Sequence, residues 1–216
     1  MLNIAEIFKS IQGESCYAGI PCTFIRLSGC NLRCKYCDTS WAWKNGEFLS
    51  LDEVMAKVDK LGCGLVEVTG GEPLVQDECI ELLEKLLHAG YTVMLETNGT
   101  LSLKNVPDRV IKIVDIKCPG SGESGKNLYS NLKMVTISDE VKFVITGIDD
   151  YKWAKKIMKK YHLHENTRVS VSPVERRTGS HSFCREVAGW MVEDGLPARL
   201  NLQLHKILWP KVKRGK

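Results

Sequence analysis

The chain has 216 residues, of which 44% are hydrophobic, and its formal net charge is +4. This composition supports one well-packed core, and we expect a single domain over residues 1–216 with a short basic tail from about residue 211. Because the small net charge is spread along the sequence, it gives no electrostatic case for nucleic-acid binding. No apolar run reaches the roughly 18 residues that a membrane span needs, and no signal peptide is recognisable. We therefore expect a cytoplasmic protein with neither nucleic acid nor membrane as a partner.

Strands and helices alternate along the sequence. After a strand at 23–27, the segment 51–61 places its apolar residues on one helical face, and Ser50 and Glu53 form a capping box at its start. Further strands are predicted at 65–69, 91–96, 111–116, 141–145, 168–172 and 198–202, and further helices at 77–89, 149–161 and about 182–192. This order predicts an α/β fold, an incomplete, open (β/α) barrel of about six or seven mostly parallel strands, because so few strands cannot close an eight-stranded barrel.

Three of the nine cysteines lie close together in the sequence. The odd count argues against a disulfide framework, so we expect reduced thiols, some of which bind metal. Cys30, Cys34 and Cys37 supply three thiolates, and no fourth cysteine follows at the spacing of ferredoxins or zinc ribbons. Three thiolates on a [4Fe–4S] cluster leave one iron open, where the amino and carboxylate groups of S-adenosylmethionine (SAM) could bind. The alternative is a zinc site that joins Cys34 and Cys37 to distant ligands.

Polar and glycine-rich segments follow most of the predicted strands. These segments are Thr69-Gly70-Gly71-Glu72-Pro73, Glu96-Thr97-Asn98-Gly99-Thr100, Asp115-Ile116-Lys117, Ser172-Pro173, Gln203 and His205. The carboxyl ends of parallel strands meet at one end of a sheet, so we expect these residues to form an active site together with the cysteines. Gly70 and Gly71 would let the backbone approach a ligand closely, and Glu72 could accept a hydrogen bond from an ammonium group. A plain tight turn would explain the same residues.

Two of these motifs resemble the radical SAM superfamily. The spacing Cys30-x-x-x-Cys34-x-x-Cys37, with Tyr36 before the last cysteine, is similar to its cluster signature, and residues 69–73 resemble its glycine-rich SAM-binding strand end. The resemblance implies an open barrel of the radical SAM type and a [4Fe–4S] cluster on the three cysteines. It also implies reductive cleavage of SAM to a 5′-deoxyadenosyl radical.

Four stretches resemble one family within that superfamily, the 7-carboxy-7-deazaguanine synthases of the 7-deazapurine (queuosine) pathway. These stretches are 6–14 (EIFKSIQGE), 26–39 (ending in CDT), 96–100 (ETNGT) and 203–210 (QLHKILWP). The resemblance implies a carbon–nitrogen lyase that converts 6-carboxy-5,6,7,8-tetrahydropterin into 7-carboxy-7-deazaguanine and ammonia. It implies catalytic use of SAM, a bound Mg²⁺, an electron donor such as flavodoxin or ferredoxin, and a homodimer.

The same resemblance implies roles for individual residues. The substrate-binding residues would be Ile11, Gln12, Gly13, Glu14, Arg26, Thr69 and His205, and Thr39 would bind Mg²⁺. Arg26 would pair with the substrate carboxylate through its planar fork. The SAM-binding residues would be Tyr36, Cys37, Asp38, Gly71, Glu72, Asp115, Ile116, Lys117, Ser172, Pro173, Val174 and Glu175, of which the last four depart from the family in residue type.

Purely structural roles remain as alternatives for several of these residues. Arg26 could be the buried partner of Glu14 or Glu72, His205 could be a structural histidine, and the Thr39 hydroxyl could simply cap a helix. Two other functions also stay open, a glycyl-radical-enzyme activase and a zinc-stabilised, non-catalytic binding module. In some members of the family the terminal carboxylate lies near the position of Pro210. This chain continues beyond Pro210, so that contact is not expected here.

Overall fold

The computed structural model describes residues 1–44, 46–174, 182–210, 212, 214 and 215. Within them the strands are β1 (Leu2–Ile11), β2 (Pro21–Leu27), β3 (Glu47–Leu49), β4 (Leu65–Gly70), β5 (Thr92–Thr97), β6 (Ile111–Lys117), β7 (Glu140–Ile145), β8 (Arg168–Pro173) and β9 (Arg199–Leu200). The α-helices are α1 (Leu51–Leu61), α2 (Cys79–His88), α3 (Ile148–Lys160), α4 (Leu163–Asn166), α5 (Ser182–Glu193) and α6 (Leu204–Leu208). Glu175, predicted to bind SAM, lies outside the described residues, and so do Lys211, Lys213 and Lys216 of the basic tail.

The strands form one open, mostly parallel sheet, which confirms the predicted fold class. Their order is β3-β1-β2-β4-β5-β6-β7-β8-β9 across the described residues, and every neighbouring pair from β2 to β9 is parallel. The predicted count of six or seven strands was too low, because β1 and β3 were missed. Both pair antiparallel, and a register shift between Ile4 and Glu6 interrupts the two-residue alternation in β1 that would have revealed it.

The alternation of side chains along each strand separates two environments. Ile25, Val66 and Val68 join the main core, in which Val54 of α1 and Leu82 of α2 also lie. The intervening residues of the same strands point to the opposite, concave face of the sheet. The capping box of α1 is present as predicted, since Ser50 and Glu53 exchange backbone and side-chain hydrogen bonds.

The chain near the carboxyl end differs most from the prediction. The strand expected at 198–202 contains only Arg199 and Leu200, and α6 begins at Leu204. Gln203 and His205 therefore lie at the start of a short helix rather than at the end of a strand. None of the helices that the structure describes is both long and apolar enough to cross a membrane.

Candidate active site

A cleft of about 1010 Å³ lies on the concave face at the carboxyl ends of the strands. Most of the residues predicted for the site line it. They are Ile11, Gln12, Gly13, Glu14, Arg26, Cys30, Cys34, Tyr36, Cys37, Asp38, Thr39, Thr69, Gly71, Asp115, Lys117, Ser172, Pro173, Val174 and His205. The fold therefore brings together segments that are far apart in the sequence.

The cysteine loop follows β2 and is fixed at several points. Gly29 donates its backbone N–H to the carbonyl of Ala42 (2.8 Å), and Lys35 donates to the carbonyl of Ser121 (3.0 Å). Leu32 is buried, whereas Cys30, Cys34 and Cys37 are half-buried and line the cleft. The packed leucine thus anchors the loop while the three thiols remain accessible from one side.

The arrangement of these thiols bears on the kind of metal site. Across the part of the chain that the structure describes, no three His, Cys, Asp or Glu side chains converge as ligands of a single ion would. A four-iron cluster binds each thiolate to a different iron, so its ligands need not meet at one point. Burial raises the pKa of the Cys30 and Cys34 thiols, and the nearby Lys117 ammonium opposes this shift. The donor set and its spread fit a cluster better than a mononuclear zinc site.

The glycines after β4 allow close packing of the loop against the strand end. A side chain at Gly71 would collide with the Gly29 carbonyl and the Cys30 side chain, and one at Gly70 would collide with the backbone of Leu27. Glu72 is fully buried, and its carboxylate accepts hydrogen bonds from the backbone of Leu74 and Asn98 and from Thr97 Oγ1. It ties the ends of β4 and β5 together. We therefore expect a structural role for Glu72 rather than a SAM contact.

The neighbouring wall of the cleft offers polar atoms that the protein leaves without partners. Among the described residues, Tyr36 Oη and Asp115 Oδ1 are buried and form no hydrogen bond. The other Asp115 oxygen accepts from Lys117 Nζ at 2.7 Å. An unsatisfied buried polar group is costly, so a polar ligand such as SAM would satisfy both atoms. Ile116, which lies between Asp115 and Lys117 in the sequence, is buried in the main core, and its side chain does not line the cleft.

A buried ion-pair network forms the opposite end of the cleft. Lys142 Nζ lies between the carboxylates of Glu14 (3.0 Å) and Glu96, and Gln203 Nε2 donates to Glu14 Oε1 at 2.7 Å. Burial opposes the charge of Glu14, but Lys142, Gln203 and His205 outweigh it and lower its pKa from 4.5 to about 2. Glu14 is therefore ionised at neutral pH. Glu96 also accepts from Thr69 Oγ1 at 3.1 Å.

Replacing Lys142 with methionine should destabilise the protein by about 3 kcal/mol, because the change leaves buried carboxylates without their cation. The pKa of Glu14 in the folded parent lies below its ordinary 4.5, so its pairing stabilises the fold above about pH 4.5 and is lost as pH falls toward about 2. The difference between parent and variant should therefore narrow in acid. Urea denaturation at several pH values measures this difference in the free energy of unfolding. Lys152→Met, at an exposed lysine, serves as the control. An equal loss at every pH would contradict the role of this pair.

The loop between β1 and β2 is held by the segment around α6. Leu204 donates its backbone N–H to the carbonyl of Gly13 at 2.9 Å, and a side chain at Gly13 would collide with the His205 ring. Burial lowers the pKa of His205, partly opposed by the charge of Glu14, so the imidazole is neutral at pH 7. The histidine thus packs on the loop and also lines the cleft.

Arg26 has a partner that the sequence did not suggest. Its Nε donates to Glu6 Oε1 at 2.9 Å, and its guanidinium carbon lies 5.9 Å from the centre of the Trp41 ring. The expected alternatives, Glu14 and Glu72, were therefore wrong as partners. Glu6 holds the inner nitrogen of the guanidinium, so an incoming carboxylate would be bound by the two terminal nitrogens.

Thr39 lies at the rim of the cleft beside Asp38. Its hydroxyl donates to Asp38 Oδ1 at 3.0 Å and makes no capping bond to the short helical turn that follows, so the capping alternative was wrong. Asp38 Oδ2 accepts from Lys206 Nζ at 2.6 Å. Partial burial opposes ionisation of Asp38, whose side chain stays more than half exposed, but the Lys206 ammonium outweighs this effect and lowers the pKa of that carboxyl. Two adjacent oxygens of this kind suit a hard cation that keeps part of its water shell.

Two charged residues of the cleft, Glu67 and Lys142, were missed as site residues from the sequence. Both interrupt otherwise apolar strands. A charged residue in the middle of a buried strand is itself a signal of a polar site, because such a group needs a partner or a ligand.

Comparison with known proteins agrees with this geometry. The model of the radical SAM superfamily matches residues 24–172. A 7-carboxy-7-deazaguanine synthase from Koribacter versatilis is 45% identical over 225 residues, which cover 99% of this chain and 100% of the relative. A synthase of the same name from Chlorobaculum tepidum is 41% identical over 99% of this chain and 97% of its own length.

A solved structure supports the fold. The crystal structure of QueE from Escherichia coli superposes with a TM-score of 0.78 over 94% of each chain, at 22% sequence identity. This level of identity supports the architecture alone, whereas the curated relatives match this chain at above 40% identity along nearly its whole length. We conclude that the chain belongs to the 7-carboxy-7-deazaguanine synthase family of the radical SAM superfamily.

Proposed function

We propose that this protein converts 6-carboxy-5,6,7,8-tetrahydropterin to 7-carboxy-7-deazaguanine with release of ammonia, as a step of queuosine biosynthesis. One observation carries the proposal: the three cysteines and the polar groups around Arg26 and Glu14 line a single cleft. A substrate held at the polar end would therefore lie beside the cysteine loop. The names of the relatives give synthesis of the same product.

The cofactors are a [4Fe–4S] cluster, SAM and Mg²⁺. Cys30, Cys34 and Cys37 would hold the cluster, and the wall formed by Tyr36 and Asp115 would bind SAM. When bound, the cluster and SAM supply the 5′-deoxyadenosyl radical that abstracts a hydrogen atom from the substrate. The protein's own part is to exclude water and to hold one substrate C–H bond in position, which is an orientation effect.

Each end of the substrate meets groups of matching chemistry. The planar fork of Arg26 would bind the carboxylate, and the loop of Gly13 and Glu14 would bind the amino-pyrimidinone edge through its backbone and the Glu14 carboxylate. Glu14 is ionised, so it can accept hydrogen bonds from ring N–H and amino groups. Thr69 and His205 line the cleft between these groups.

Magnesium would bind at Thr39. If the Thr39 hydroxyl is a ligand, turnover of the parent should rise with Mg²⁺, and Thr39→Ala should lose most of that response while still binding SAM. The matched control is Ser40→Ala, which removes the next hydroxyl along the chain. Product formation titrated against Mg²⁺ gives the answer, and an unchanged response in Thr39→Ala would mean that another residue binds the ion.

The experiment that tests the function is an anaerobic incubation with SAM, dithionite, Mg²⁺ and the carboxytetrahydropterin, followed by chromatography of the products. We expect 7-carboxy-7-deazaguanine with SAM regenerated, because SAM is used catalytically, and therefore little net 5′-deoxyadenosine. A glycyl-radical activase would instead need a protein substrate, and the polar end of the cleft would have no role. Brown colour and iron content of the purified protein test the zinc alternative, which predicts a colourless protein.

The remaining assignments extend this proposal. The protein would act as a homodimer of single-domain chains in the cytoplasm, with flavodoxin or ferredoxin as the reductant. Glu175 is kept among the SAM-binding residues on sequence grounds alone. These points rest on the family resemblance. Gel filtration would test the homodimer, and reduction assays with flavodoxin or ferredoxin would test the electron donor.

A further inference from the structure

Glu67 is a buried carboxyl group that no step above uses. It lies in the middle of β4 and only 3% of it is exposed. Its register neighbours are Phe24 on β2 and Met94 on β5, so it sits in the apolar layer that forms the floor of the cleft. A carboxyl group in such a layer needs a hydrogen-bond partner, because burying it alone is costly.

That partner is the side chain of Gln12, which is also only 3% exposed. Gln12 Nε2 donates to Glu67 Oε2, and Gln12 Oε1 accepts from the backbone N–H of Glu14 at 3.0 Å. The backbone N–H and carbonyl of Gln12 are both used within the β1–β2 hairpin, with Ile20 and Gly19. Every one of these contacts fixes the loop. A chain of hydrogen bonds therefore runs from the floor of the cleft to the backbone that would hold the substrate.

The charges around Glu67 decide its protonation state. The ionisable groups that face it are Glu14, Arg26, Glu96, Lys142 and Cys22. The two cations are already engaged, Lys142 by Glu14 and Glu96 and Arg26 by Glu6. Burial, and then the negative charge of Glu96, raise the pKa of Glu67 well above its ordinary value. A neutral carboxylic acid still accepts a hydrogen bond through its carbonyl oxygen, so the Gln12 contact does not need the charge.

We propose that Glu67 is a positioning residue that works as the neutral acid, orienting the Gln12 amide so that it holds the Gly13–Glu14 backbone for the heterocyclic substrate. The effect on turnover rests on the proposed function. The protonation of Glu67 and its contact with Gln12 do not.

Two variants of nearly equal size distinguish whether position 67 must supply a hydrogen-bond acceptor or a negative charge. Glu67→Gln keeps a carbonyl acceptor and loses the ionisable group, so the KM for the carboxytetrahydropterin and kcat should stay within about twofold of the parent. Glu67→Leu keeps the shape in an apolar layer and leaves Gln12 Nε2 unpaired. Its KM should rise about tenfold or more, because the Gln12 amide loses its anchor and no longer fixes the Gly13–Glu14 backbone. Thermal stability of Glu67→Leu should change little, since an apolar leucine in this layer offsets the unpaired Gln12 donor.

The outcomes are distinct. If Glu67→Gln loses activity as Glu67→Leu does, the charge is needed and the neutral-acid proposal is overturned. If both variants match the parent, Glu67 positions nothing. A loss of stability in Glu67→Leu that accounts for its loss of activity would make the residue merely structural.

Infrared difference spectra give a readout that does not depend on turnover. The parent holoenzyme at neutral pH should show a protonated-carboxyl band that Glu67→Gln lacks, and the absence of that band would overturn the proposal. The spectra are recorded without substrate. A parent enzyme that makes no product would therefore contradict the proposed function while leaving the state of Glu67 to this measurement.

Discussion

Alanine at Cys34 is expected to abolish both iron binding and SAM cleavage. The parent should bind about four irons per chain when reconstituted anaerobically, and the variant well under one, because two thiolates cannot retain the cluster in reducing solution. Cys30→Ala and Cys37→Ala should behave in the same way, since all three thiols face the cleft. Iron analysis and 5′-deoxyadenosine release measure the two effects.

Cys63→Ala provides the matched control. Cys63 is buried outside the cleft wall, so its replacement should leave the iron content unchanged. Full iron content in any of the three loop variants would refute the ligand assignment. A loss of iron in Cys63→Ala would show that folding, rather than ligation, limits cluster content.

Arg26→Lys should lower product formation roughly ten- to a thousand-fold while the iron content stays at the parent level. Lysine keeps the charge but loses the bidentate geometry, and it also loses the Nε contact with Glu6 that orients the guanidinium. The reactive C–H bond would then be poorly held. We expect 5′-deoxyadenosine to accumulate without a matching amount of 7-carboxy-7-deazaguanine.

Measuring both products in one reaction separates substrate orientation from radical formation. The exposed Arg109→Lys serves as control and should change neither product. Product at the parent's rate in Arg26→Lys would show that Arg26 is structural and that another residue reads the carboxylate. A parallel fall of both products would point to damaged SAM binding instead.

Most of the strands and helices could be predicted from the sequence, because the residue patterns that indicate them lie within short windows. The capping box at Ser50 and the parallel strands from β2 to β8 follow from residue spacing within short windows. The strand β1 was missed because its register shift breaks the period on which such predictions depend. The helix α6 was missed because five residues are too few to show a helical period.

The chemistry could be predicted from residue spacing: Cys30, Cys34 and Cys37 indicated a cluster with an open iron, and the glycines after β4 indicated the adjoining strand end. The pairing of charged groups, in contrast, depends on the tertiary structure. Lys142 reaches Glu14 across 128 positions, and Gln203 reaches it across 189. Such pairings depend on strand register and on burial, which set both the distance between two groups and the cost of leaving either one unpaired. Neither quantity is contained in the spacing of residues along the chain.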